Sequence, residues 1–170
     1  MHSLWKRYPV IKEVQKLLGH NMRFVFRNFP TVRTHPHSIR AAEAAEAAGA
    51  QDRFWEMHDE LFAHQQALED HDLLRYGKRI GLDVERFGRD MAENVFLNIV
   101  ETDFNRSLFD EHVTGTPTFY INEVRYTGAT DVESLLSAIK QADSEGRIKL
   151  PKLASGMRGA FQRLRRGAVG

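Results

Sequence analysis

The residues most suggestive of chemistry lie in HVTGTPTFYIN, residues 112–122, where Gly115, Thr116 and Pro117 stand directly before an apolar, β-branched and aromatic run. Proline cannot donate to a sheet ladder, so at the mouth of a strand it marks a fixed turn. A Thr-Pro step in that place often belongs to a thiol-redox site, yet the chain contains no cysteine. Disulfides, thiolate metal sites and cysteine nucleophiles are thereby excluded from the chain itself.

The eight histidines raise the question of a metal. His35 and His37 flank Pro36 ahead of an alanine-rich run and read as a helix start. His58 and His64 fall on poorly matched faces of one helix, and HDELFAH lacks the i, i+4 histidine spacing of the H-E-x-x-H zinc motif. No metal ligand and no cofactor are expected. Phe54, Trp55, Met57, Leu61 and Phe62 form an apolar stripe at helical spacing and read as core.

The elements that must carry these residues follow from pattern. In 170 residues, 42% hydrophobic and 28% charged, there is enough apolar material for one domain with a real core. A net charge of +1 gives no reason to expect a nucleic-acid partner. No apolar run reaches the roughly 18 residues of a spanning helix. MHSLWKRYPVIKEV lacks the charged and apolar regions of a secretory signal, so the chain as written reads as cytoplasmic.

Residues 8–18 place Val10, Val14, Leu17 and Leu18 on one helical face, with Gly19 suited to the left-handed position after the last turn. Pro9 fits a first turn; in a helix starting further upstream it would sit in the interior. Residues 22–29, MRFVFRNF, alternate as a strand that Pro30 ends. A helical block covers about 34–112. It contains an alanine-rich helix ending at Gly49, a helix capped by Asp52, one ending at Gly81, one in DVERFGRDMAEN, and one with Val100, Phe104 and Leu108 four apart. Residues 118–122 and 124–127 form a hairpin, and Thr130 with Glu133 makes a capping box ahead of a last helix to about Gln141.

Helix, strand, helical block, hairpin and helix make an α/β chain whose order resembles a thioredoxin-like fold with a helical insertion. The stretches YPVIKEVQ, RFVFRNFP, HPHSIRAAEAAEAAGAQDRFWEMHDELFAHQ, GLDVERF and GTPTFYIN resemble, in that order, the DsbA family of thiol–disulfide oxidoreductases over roughly residues 8–140. The resemblance implies a domain over residues 1–143, with the insertion at about 34–112, and a separate tail over 144–170. It also implies an activity, disulfide exchange on extended or unfolded polypeptides. In the family a Cys-x-x-Cys motif at a helix N-terminus supplies a thiolate, and a cis-proline loop across the site holds the substrate backbone. By motif match that loop is Gly115, Thr116 and Pro117, the peptide-binding residues, with Pro117 the cis-proline.

The departures from the family are equally specific. Its cysteines fall near Met1 and Leu4, neither of which is cysteine, so no catalytic residue is assigned and the chain by itself is expected to be redox-inactive. The strand that precedes the redox helix has no counterpart, which implies an upstream extension carrying it; such an extension would leave an extracytoplasmic location open. The alternative is a cysteine-free module that binds peptides or proteins on the same fold. Related glutathione transferases and isomerases use a serine at the helix start, but Ser3 is out of register. Asn122-Glu123 replaces the family's usual Asn-Gly turn, so the turn is strained or of another type. The tail carries Arg147, Lys149, Lys152, Arg158, Arg163, Arg165 and Arg166, with Met157, Phe161 and Leu164 able to share one face. It reads as solvated, with contact to an anionic surface as the alternative.

Overall fold

The computed structural model describes the backbone over residues 3–144 and the side chains over residues 8–143; the basic tail beyond lies outside the described residues. The chain forms two compact units. One runs up to Val25 and resumes at Gly115; the other is Phe26–Thr114 and spans the helical block expected at about 34–112.

The first unit is built from helix α1 (Ser3–Leu18), an extended stretch at 22–25, strands β1 (Phe119–Ile121) and β2 (Val124–Tyr126), and helix α7 (Val132–Ser144). Pro9 lies inside α1, because the helix starts upstream of it, and Gly19 takes the left-handed position at φ +49°. The buried face uses Ile11 and Val14 with Leu18 beside them, whereas Leu17, expected on that face, is exposed. Leu135 of α7 completes the centre, and Met22, Phe24, Phe119, Tyr126, Val132, Leu136 and Ile139 pack around it.

The strand expected over 22–29 is not formed as a strand. Met22 is extended (φ −127°, ψ 136°), and burial alternates: Met22 and Phe24 are half-buried, Arg23 and Val25 exposed. The period-2 pattern therefore sets which side chains turn inward. A ladder also needs a neighbouring strand, and the described residues hold one sheet, β1 paired with β2. From Phe26 the chain belongs to the other unit, and burial no longer alternates.

The hairpin is antiparallel, with Phe119 opposite Tyr126 and Ile121 opposite Val124, and is shorter at both ends than its sequence pattern. Its turn residues Asn122 and Glu123 have φ +49° and +69°, the two positive angles of a type I′ turn. Glu123 holds this conformation without glycine's freedom. Glu123→Gly is expected to stabilise the protein by about 0.5–1 kcal/mol, the left-handed penalty less glycine's chain entropy. A denaturant midpoint that stays put or falls would show that the turn carries no such penalty. Helix α7 is capped one residue later than expected. Asp131 Oδ1 accepts from the Ser134 N–H at 2.9 Å and Oδ2 from its hydroxyl at 2.8 Å, and these bonds hold the Asp131 carboxyl below its usual range.

The second unit contains α2 (Ser38–Gly49), α3 (Phe54–Ala63), α4 (Asp70–Arg79), α5 (Val84–Ala92) and α6 (Leu97–Asn105), the last continuing into a π-helical turn, Arg106–Asp110. Its centre is α2, against which α3, α4, α5 and α6 all pack. Alanine at 44, 45, 47 and 48 lets them approach closely, and Met57, Leu61, Leu73, Tyr76, Leu82, Phe87 and Met91 fill the space between. Burying a side chain such as Leu73 or Phe87 contributes about 1.5–3 kcal/mol. Asp52 does not cap α3. It stands at φ +62° in the connecting turn, and the N-cap position belongs to Arg53. Asp83 does cap α5, accepting the Arg86 N–H at 3.0 Å. The fifth predicted helix is α6, with Val100 buried, and it ends in the π-turn instead of running on.

Candidate functional site

The loop at Gly115, Thr116 and Pro117 belongs to the first unit and leads straight into β1. The Thr116–Pro117 peptide bond is cis. On the strand side of the loop, the Thr118 hydroxyl donates to the Gly115 carbonyl at 2.6 Å and closes it into a small ring. Gly115 and Thr116 are exposed, Pro117 and Thr118 half-buried, and a Cβ placed on Gly115 would meet open space. Phe119 roots the loop's far end in the core formed by Ile11, Val14 and Leu135. A short exposed segment is thus fixed by one hydroxyl and one half-buried ring. Its groups are hydroxyls and backbone amides, able to hold an extended chain but without a nucleophile, acid or base.

The histidines are not brought together. His37 occupies the N-cap of α2 without a side-chain cap bond. His58 is buried at 3% exposure among Phe26, Phe54, Trp55 and Phe62, with ring centroids 4.4–6.2 Å away. His64 ends α3, its Nδ1 2.9 Å from the Glu60 carbonyl, and its ring stacks on Tyr76 at 5.1 Å. Among the described residues no group of three or more His, Cys, Asp or Glu is placed to hold a metal ion. Nor is any described helix long and apolar enough to cross a membrane. The stripe on α3 divides: Met57 and Leu61 are core, whereas Phe54, Trp55 and Phe62 are half-buried. Ser3 opens α1, but its side chain, like Met1 and the side chain of Leu4, lies outside the described residues.

Two polar assemblies in the second unit, each with at least one buried carboxyl, escape a reading by motif. In one, Arg40 of α2 holds Asp70 with Nε at 2.8 Å and Nη2 at 3.0 Å, while its Nη1 donates to Glu43 Oε2 at 3.0 Å and to the Met91 carbonyl at 2.7 Å. Burial pushes the Glu43 carboxyl up against the pull of Arg40; the Arg40 hydrogen bonds hold that of Asp70 down. In the other, Asn28 donates its backbone N–H to Asp103 Oδ2 at 3.1 Å and its side-chain amide to Glu46 Oε1 at 2.9 Å. Burial raises the Asp103 carboxyl above its usual range. The signal available in sequence was faint: two glutamates inside an alanine-rich helix, where a solvated face is the ordinary expectation.

Over residues 12–141 the chain matches the family model described as thioredoxin. Among curated proteins it is 40% identical over 129 residues to Na(+)/H(+) antiporter NhaA 3 of Salinispora tropica, and 41% identical over 129 residues to Na(+)/H(+) antiporter NhaA 1 of Salinispora arenicola. It is 41% identical over 133 residues to Na(+)/H(+) antiporter NhaA 1 of a Mycobacterium species, strain KMS. Each match covers 76% of this chain but only 20–21% of the relative, so the chain spans about a fifth of the length of the curated proteins it matches. No solved structure matches it.

Proposed function

We propose a polypeptide-binding role from one premise: this chain belongs to the thioredoxin family. Within that family it is assigned to the DsbA-like branch on the ordered stretches from YPVIKEVQ to GTPTFYIN, and disulfide exchange on polypeptides is the activity of that branch. Without cysteine, this chain contributes the holding half of such a site and not the attacking half. The observation that carries the reading is the exposed Gly115–Thr116–Pro117 loop, tied by Thr118 and rooted in the core by Phe119. An extended peptide lying along it would be held mainly by backbone hydrogen bonds, so binding should be tolerant of sequence.

The test exploits the open space at Gly115. Gly115→Trp should leave thermal unfolding unchanged while weakening the binding of a permanently unfolded, fluorescently labelled polypeptide by about tenfold, or roughly 1.4 kcal/mol. Equal affinity in the two proteins would remove the loop from the site. In a disulfide-reduction assay the chain should show no turnover above buffer.

The relatives' names favour a second, wider reading, in which this chain serves as a thioredoxin-fold module of an Na(+)/H(+) antiporter. Removing the matching segment from the Salinispora tropica protein should then abolish its polypeptide binding and leave ion exchange intact. Loss of exchange would instead make the segment part of the transport machinery.

A further inference from the structure

We infer that residues 26–29 form a pH-set latch on the helical unit. Asn28, seated between Asp103 of α6 and Glu46 of α2, holds this segment most firmly when the two carboxyl groups share one proton, and it loosens when both are ionised.

The geometry is that of two acids flanking one neutral donor. The Asn28 amide nitrogen lies 2.9 Å from Glu46 Oε1 and 3.5 Å from Asp103 Oδ2, and the same Asp103 oxygen accepts the Asn28 backbone N–H. Asn28 is 4% and Glu46 8% exposed, and Asp103 is half-buried beside them. Two carboxyl groups on one amide, partly shielded from water, oppose each other's ionisation. If the segment lifts, both are rehydrated and ionise near pH 4.

Two arginines pull against burial at Asp103. Arg27 on the segment and Arg106 on the π-turn favour ionised Asp103, but both also face Glu111, at 3.6 and 3.3 Å, which weakens their pull. Burial outweighs them and leaves the Asp103 carboxyl above its usual range. The sign follows: a carboxyl raised in the docked state supports docking fully below about pH 4, and that support is lost as pH rises through the docked value.

Loosening has a defined local consequence. The Phe26 ring lies edge-on to His58 at 4.8 Å and 6.0 Å from Phe54, and Phe29 packs on Phe104 at 5.0 Å. Lifting the segment takes Phe26 off α3 and uncovers the rings it packs on, Phe54 and His58. His58, with Asp59 3.5 Å from its Nδ1, is the other titratable group against Phe26, so the test must separate it from Asp103.

Amide-exchange protection at Asn28, followed by NMR in the full chain between pH 3.5 and 8, should fall with rising pH. The decline should reach at most about tenfold per pH unit, one proton per opening, and then level off. Asp103→Asn should make protection independent of pH across that window, whereas His58→Gln should leave the decline in place. A pH profile for Asp103→Asn that superimposes on the parent's, or protection that rises with pH, overturns the latch. If Asp103→Asn does not fold, the carboxyl carbon of Asp103 can be titrated in the parent protein; a midpoint at or below the ordinary carboxyl value also overturns it.

Discussion

Arg40→Ala will destabilise the helical unit by about 3 kcal/mol or more near neutral pH, a cost set less by the bonds lost than by the charge left behind. Glu43 is 1% exposed and one of its carboxylate oxygens has no hydrogen-bond partner; the other accepts from Arg40. Removing the guanidinium strands that carboxylate in the middle of α2, in contact range of the helices that pack around it. Arg40 also ties α2 to Asp70 of α4 and to the Met91 carbonyl of α5, so three helices lose a shared anchor. The pH dependence distinguishes this account from simple loss of packing. The Glu43 carboxyl is already raised by burial, and without Arg40 it rises further. A raised carboxyl favours the fold below its unfolded value, near pH 4.3, and opposes it as pH climbs through the folded one. Asp70, held low by Arg40, contributes in the parent only above its own unfolded value. Both effects make the gap between parent and variant narrow as pH falls towards 4. Chemical denaturation at pH 4 and pH 7 measures it, and an equal gap at both values would refute the buried-charge explanation.

The two polar assemblies also mark where sequence patterns stop being informative. Elements defined by local chemistry were legible. Gly19 and Gly81 adopt the positive φ that a helix end asks of glycine, and the alanine-rich run ends at Gly49. The Thr-Pro step before Phe119 marks a turn ahead of a strand, and the cis bond at Pro117 was implied by the family resemblance alone. Caps were legible in kind but not in place: Thr130 and Asp131 are both good capping residues, and only the hydrogen bonds to Ser134 decide between them. Pairing and burial of charge are different, because they depend on what arrives from elsewhere in the chain. Alternation at 22–25 survives as alternating burial without a ladder. Glu43 and Glu46 look like the solvated side of a helix until α4, α5 and α6 close over them. Arg40 meets Asp70 and the Met91 carbonyl, and Asn28 meets Glu46 and Asp103, across 18 to 75 residues of chain.

Phe87→Ala is expected to be the most costly apolar substitution in the same unit, at about 3–5 kcal/mol, because the ring is fully buried and its neighbours can collapse only in part. The neighbour that makes this testable is Gly77 of α4. A Cβ built there would stand 3.3 Å from Phe87 Cδ1 and 3.4 Å from both Phe87 Cε1 and Leu82 Cδ1. Glycine in the helix interior sacrifices roughly 0.5–1 kcal/mol of helix stability, and here it does so to admit the ring. Gly77→Ala alone should therefore gain little, the propensity benefit being offset by crowding. In the Phe87→Ala background the same methyl enters the cavity, so the benefit appears and part of the lost packing returns. The double variant should recover about 1 kcal/mol or more relative to Phe87→Ala, a coupling well outside the few tenths expected of independent sites. Denaturant midpoints for the four proteins of the cycle give that coupling directly. Strict additivity would mean that α4 and α5 relax independently, and that the space beside Gly77 is not what holds them in register.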